Sequence, residues 1–222
     1  MAATDEGSIA RRTDPGCILG FVTKAAPSLH IVSANNADFE DLQTIFGTRG
    51  QGSRCQCQRY KLKPGEAFVS FPLEERAHRL RVQTDCGHPD SDTTSGLVAF
   101  SDREPVGWCA VEPRPEYVGL FSNGRVPWAG RSEHKEDSSM WALTCLFTRV
   151  GFRRQGVSRA LAVAAVAFAR GRGARAIEGY PMVTTNVIEE ELHVGTLGTF
   201  VAAGFTEVSR PTIRRAVMRI DF

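Results

Sequence analysis

Residues 147–182 read FTRVGFRRQGVSRALAVAAVAFARGRGARAIEGYPM, and this stretch decides the fold. It opens on the end of an apolar run, MWALTCLFT, that predicts a central strand buried on both faces. Gly151–Arg159 then holds three arginines and two glycines. Val157, Leu161, Ala164, Ala165 and Phe168 follow at helical spacing, and ARAIEGY predicts a second strand. A tight basic turn between a strand and a helix is an anion site. The first helical turn leaves backbone N–H groups unpaired, and the helix dipole adds partial positive charge there. Gly156 lets the backbone come close to a phosphate. Arg153, Arg154 and Arg159 add charge-assisted donors, and Ser158 adds a hydroxyl. An ordinary strand–helix turn with solvated arginines is the competing reading. The turn is neither GxxxxGK[ST] nor GxGxxG, so Walker and dinucleotide-binding fingerprints are both absent.

Outward from this turn, the elements alternate. LHIVS predicts a strand, and Phe39, Leu42, Ile45 and Phe46 mark a helix. TRGQGSRCQCQRYKLKPGEA reads as a Gly-rich basic loop and LEERAHRLRVQTDCG as a polar helix. GLVAFSDREPVGWCAVEPR reads as a hairpin. Residues 112–140 read as a long irregular insertion of the kind that shapes binding sites. LHVGTLGTFVAAGF predicts one helix closed by Gly204, and FTEVSR and RAVMRIDF are closing strands. The pattern is one mixed α/β domain over 28–222, after a partly disordered extension over 1–27.

The chain of 222 residues carries a net charge of only +2, which gives no electrostatic case for nucleic acid or membrane partners. Its six cysteines form no disulfide framework. Cys55 and Cys57 lack a second ligand pair at zinc spacing, so no metal is expected. The apolar run Cys17–Val22 is too short for a signal-peptide core, and a soluble cytoplasmic protein is the default.

Arg153-Arg154-Gln155-Gly156-Val157-Ser158 resembles the Q/R-x-x-G-x-G/A signature of the GNAT superfamily of acyl-CoA-dependent N-acetyltransferases. LFTRVGFR before it and AAGFTEV near the end are similar to that family's fourth strand and its late helix-to-strand turn. The resemblance implies a mostly antiparallel mixed sheet flanked by helices and splayed between the fourth and fifth strands. It implies acetyl-CoA as co-substrate, with no metal. Its pyrophosphate would be held by Arg153, Arg154, Gln155, Gly156, Val157, Ser158 and Arg159, and its pantetheine by backbone groups of Leu146, Phe147 and Thr148. The acceptor would be an amine of a small molecule or a protein, and the enzyme a monomer or homodimer.

The chain departs from the family pattern where many members carry a proton-donating tyrosine, because that position is Phe200. His193 stands seven residues earlier, where many have asparagine; a capping or surface role there competes with acid–base chemistry. Glu178 and Tyr180 share one face of a predicted strand, and the resemblance suggests Glu178 as general base with Tyr180 as acid. A structural carboxylate and a packing phenol are the alternative. A catalytically weak acyl-CoA-binding sensor is the competing function.

Overall fold

The computed structural model describes residues 28–122, 126–184 and 186–222. The expected extension over 1–27 lies outside them. In chain order the elements are β1 (Leu29–Ser33), α1 (Phe39–Phe46), α2 (Gly50–Cys55), α3 (Leu73–Thr84), β2 (Leu97–Ser101), β3 (Glu104–Pro113), α4 (Val118–Ser122), β4 (Met140–Thr148), α5 (Val157–Gly171), β5 (Ala176–Gly179), α6 (Leu197–Ala202), β6 (Thr206–Thr212) and β7 (Arg215–Asp221). The strands form one sheet in the order β1-β2-β3-β4-β5-β7-β6. Only β4 and β5 run parallel; the other pairs are antiparallel.

Both faces of the sheet are covered, which is why β4 is a nearly unbroken apolar run. On one face α5 and α6 supply Leu161, Ala165 and Phe200 against Val111, Leu143 and Ile177. On the other, α1 and α3 supply Leu42, Ile45 and Leu80 against Val98, Trp108 and Ala110. The sheet and α5 approach closely because Gly107 has no side chain. A Cβ there would stand 2.5 Å from Val157 Cγ1 and 3.0 Å from Leu161 Cδ1.

Two features open the sheet. β4 pairs with β5 only over Met140–Leu143 with Ala176–Gly179. β3 and β4 then shift register between Ala110 and Val111, leaving Thr144 as an extra residue on β4. Beyond it, Thr144–Thr148 runs on without a β5 partner, and Pro181 has no N–H to extend the pairing. The ring of Phe200 fills the space beside Gly179 and Gly195, where a Cβ would meet it at 1.9 and 2.9 Å. The splay between the fourth and fifth strands is therefore built from a bulge, a proline and an aromatic ring.

Two segments differ from the sequence expectation. The predicted Gly-rich loop contains α2. Helix propensity does not account for it, since GQGSRC is a poor helix former. Packing does: a Cβ on Gly52 would lie 2.6 Å from Phe147 Cζ, so the glycine seats α2 on the end of β4. The predicted late helix is split. A 3-10 turn covers Glu189–Val194, Gly195 breaks it at φ +82°, and α6 begins after Thr196, whose hydroxyl accepts from the Thr199 N–H.

Candidate active site

The turn before α5 has the shape the sequence suggests. Gly156 is the N-cap residue at φ 85°, ψ −1°, and no side chain caps the helix. Its first-turn N–H groups thus face outward uncapped. Arg154 is left-handed as well, at φ 62°, a conformation that costs an ordinary residue energy and gathers at functional loops. The Gln155 amide donates to the Gly151 carbonyl at 3.0 Å. Thr148 Oγ1 and Ser158 Oγ lie 3.0 Å apart, tying the end of β4 to the first turn of α5. Arg153, Arg154, Gln155 and Arg159 are exposed, whereas Val157 is buried and anchors the turn.

A cleft of about 1460 Å³ runs from this turn along the half of β4 that lacks a β5 partner. Its walls include Thr144, Leu146, Phe147, Thr148, Arg153, Arg154 and Ser158 on one side, with the α1–α2 region facing them. Cys57, Tyr60, Cys145 and His193 line it as well. The volume exceeds that of a typical single-ligand pocket. The Trp108 Nε1–H donates to Cys57 Sγ at 3.2 Å. A hydrogen bond from Cys145, helped by Trp108, holds the Cys57 thiol below its ordinary pKa and raises that of Cys145.

His193 sits in the 3-10 turn that packs on β4. Its Nδ1 lies 2.6 Å from the Glu190 carbonyl, so Nδ1 carries the proton and donates. Burial pulls its pKa down to about 4, with the Glu190 bond opposing and Arg59 and Arg215 adding to the fall. The ring is neutral near pH 7.

Glu178 and Tyr180 do converge, with the Tyr180 hydroxyl donating to Glu178 Oε2 at 3.2 Å. They converge in the interior rather than on the cleft, whose walls among the described residues include neither. Glu178 is fully buried and accepts from Arg131, at 3.2 Å to Nη1 and more closely to Nη2, and from Arg114 Nη1 at 3.5 Å. Glu133 bridges the same arginines and reaches Arg219 at 2.8 Å. Burial and the neighbouring Glu178 raise the Tyr180 phenol well above its ordinary pKa. Arg114 and Arg131 belong to the segment after β3 that the sequence marked only as an irregular insertion. No local pattern ties them to Glu178, which lies 64 and 47 residues away.

Glu112, near the end of β3, and Tyr117, shortly after it, are also buried. Lys61 reaches Glu112 Oε2 at 2.5 Å and lies 4.7 Å from the Tyr117 ring centre. Burial raises the Glu112 pKa, against the pull of Lys61. Trp108, Trp128 and Trp141 are core residues. Tyr60 on the cleft lining was missed, because it sits in a segment whose sequence shows no periodicity. No group of three or more His, Cys, Asp or Glu side chains arranged to hold a metal occurs among the described residues. None of their helices is long and apolar enough to cross a membrane.

Residues 63–193 match the acetyltransferase (GNAT) family. No curated protein is similar enough in sequence to match. Among solved structures, the chain is similar to an N-acetyltransferase from Staphylococcus aureus Mu50. That likeness has a TM-score of 0.50 at 10% identity and covers 87% of this chain and 98% of that one. A GCN5-related N-acetyltransferase from Kribbella flavida gives 0.47 at 17% identity, covering 87% and 98%. The PaiA N-acetyltransferase from Thermoplasma acidophilum, in complex with coenzyme A, gives 0.46 at 13%, covering 88% and 99%. At these identities the first likeness speaks to the fold alone.

Proposed function

The chain belongs to the acetyltransferase (GNAT) family, and from that premise we propose that it transfers the acetyl group of acetyl-CoA directly to an amine of a small molecule or protein. The observation that carries this reading is a cleft joining an uncapped helix N-terminus to the half of β4 that lacks a β5 partner.

In this reading the pyrophosphate lies on the first-turn N–H groups of α5, with Gly156 giving close approach and Arg153, Arg154 and Arg159 neutralising charge. Gln155, Val157 and Ser158 hold the turn in shape. The pantetheine lies along β4 as an extra strand, its amides bonded to backbone groups of Leu146, Phe147 and Thr148. The thioester then reaches the bulge at Thr144, where a backbone N–H can polarise its carbonyl. An amine entering the inner cleft attacks that carbon, and the CoA thiolate leaves as the C–S bond breaks. Glu178 and Tyr180 enter this reading as the buried anchor of β5. Glu178 already accepts from two guanidinium groups and a phenol, which leaves it little capacity to take a substrate proton.

A second reading is an acyl-CoA sensor with weak catalysis, favoured by Phe200, whose buried phenyl ring cannot protonate a thiolate. Release of free thiol from acetyl-CoA separates the two. Turnover that depends on one amine in a panel supports transfer. Slow hydrolysis indifferent to amines supports the sensor.

A further inference from the structure

One residue that lines the cleft carries a buried polar atom without a partner. His193 Nε2 is buried and makes no hydrogen bond among the described residues. Such an atom is desolvated without compensation and calls for an explanation. The Nδ1–H is committed to the Glu190 carbonyl at 2.6 Å, which leaves Nε2 as a lone-pair acceptor. What it lacks is an N–H or O–H donor.

The surroundings narrow what that donor is. The Tyr60 ring packs against the imidazole at a centroid distance of 6.2 Å and an angle of 33°, and both rings line the cleft. Thr144, Cys145 and Leu146, at the bulge and the start of the unpaired half-strand, line the same cleft. The turn bearing His193 packs on β4. A Cβ on Gly195, two residues on, would lie 3.0 Å from Leu146 Cδ1. The turn that carries the unsatisfied acceptor therefore packs on the strand to which the acetyl group is assigned.

We propose that His193 is the catalytic residue that receives the acceptor amine, its Nε2 accepting the amine N–H. This rests on the acetyltransferase reading and deepens it. As the amine nitrogen bonds to the thioester carbon, its proton passes to Nε2. As the C–S bond breaks, the proton passes from Nε2 to the departing sulfur. The sum is amine plus acetyl-CoA giving acetamide plus CoA thiol, with the ring restored. One group serves both steps, which supplies the proton that Phe200 cannot. Tyr60 is a positioning residue that holds the ring plane.

The test compares the parent protein with His193→Ala and Tyr60→Ala. The amine is whichever the parent turns over best among ethylamine, spermidine and short alanyl and seryl peptides. His193→Ala is expected to lower kcat by about 10²–10⁴-fold and to leave CoA affinity by calorimetry unchanged. Added imidazole should restore part of the rate to His193→Ala and none to the parent. Tyr60→Ala, which removes the ring that holds the imidazole plane, should lower kcat with CoA affinity unchanged, and an unchanged kcat there would remove Tyr60 from the positioning role. A loss of CoA affinity in His193→Ala would assign Nε2 to a pantetheine amide and overturn the inference. So would an unchanged kcat. Nitrogen-15 NMR of the His193 ring in the folded parent reads the same point without any turnover. The Nδ1–H tautomer is expected, with an Nε2 resonance that moves when spermidine is added to the CoA-bound protein. A proton on Nε2, or no response to the amine, refutes the proposal even where failed acetylation refutes the wider reading separately.

Discussion

Glu178→Gln removes one negative charge from the most enclosed ion-pair network in the described molecule. Glu178 and Arg114 have no exposed side-chain surface, and Arg131 keeps 9%. Three guanidinium groups, Arg114, Arg131 and Arg219, face Glu178 and Glu133, and Arg219 also pairs with the exposed Asp221. With Gln in place, Arg114 and Arg131 have only the partly exposed Glu133 as a charged partner among the described residues, and Arg114 loses the charged acceptor at 3.5 Å. Removing one partner of a buried pair costs about 3–5 kcal/mol, because the other charge stays desolvated. The amide keeps one acceptor oxygen, so the low end, about 3 kcal/mol, applies. For a chain of this length each kcal/mol shifts Tm by about 2–4 °C, so a fall of about 6–12 °C is expected. Tyr180→Phe deletes a single donor and should cost about 1 kcal/mol. Thermal unfolding by circular dichroism at fixed protein concentration, without CoA, measures both. Acetyl transfer by folded Glu178→Gln should stay near the parent rate. An unchanged Tm together with a kcat lower by about 10²–10⁴-fold and a lost acidic limb in the pH–rate profile would show that Glu178 is the general base, and the anchoring argument would be refuted.

Gly156→Asp is expected to weaken CoA binding by about 2–3 kcal/mol, through a carboxylate placed near the pyrophosphate and strain at φ 85°; equal affinity by calorimetry in a folded variant would remove the turn from the cofactor site. Gly107→Ala pushes a methyl into Val157 and Leu161, and should cost about 1–3 kcal/mol while loosening CoA through the displaced start of α5, both visible by thermal melts and titration. His193 is harder to protonate folded than unfolded. Between its ordinary pKa of 6.5 and the folded value of about 4, the unfolded chain takes up a proton that the folded chain does not. Stability therefore falls as pH falls through that window, by up to about 3 kcal/mol. Arg59, Arg215 and Glu191 face the same ring and remain in His193→Gln, so the difference in denaturant midpoints between parent and variant isolates the ring; identical slopes from pH 7 to 4 would contradict its burial. Iodoacetamide should label Cys57 before Cys109 and Cys145, whose pKa values are raised, and acetyl-CoA should slow that labelling; mass spectrometry that finds Cys145 first would reverse the thiol order.

The sequence by itself determined the elements whose signal is local. The apolar run of β4, the stripe on α5 and the Gly156 turn are set by neighbouring residues within one or two helical turns, and all three stand where periodicity puts them. The antiparallel strands at either end follow from the same alternation. Tertiary packing alone decided the rest. α2 forms from a glycine-rich string because Gly52 fits under Phe147, 95 positions away. The late helix breaks at Gly195 because its turn must seat against Leu146 and the Phe200 ring. Glu178 and Tyr180 share a strand face, as their spacing requires. The partners that bury Glu178, Arg114 and Arg131, come from a segment with no periodic pattern. Tyr60 and His193 meet across 133 positions for the same reason. Backbone periodicity is a property of nearby residues, whereas a buried charge or an unpaired nitrogen is defined by what the folded chain brings against it.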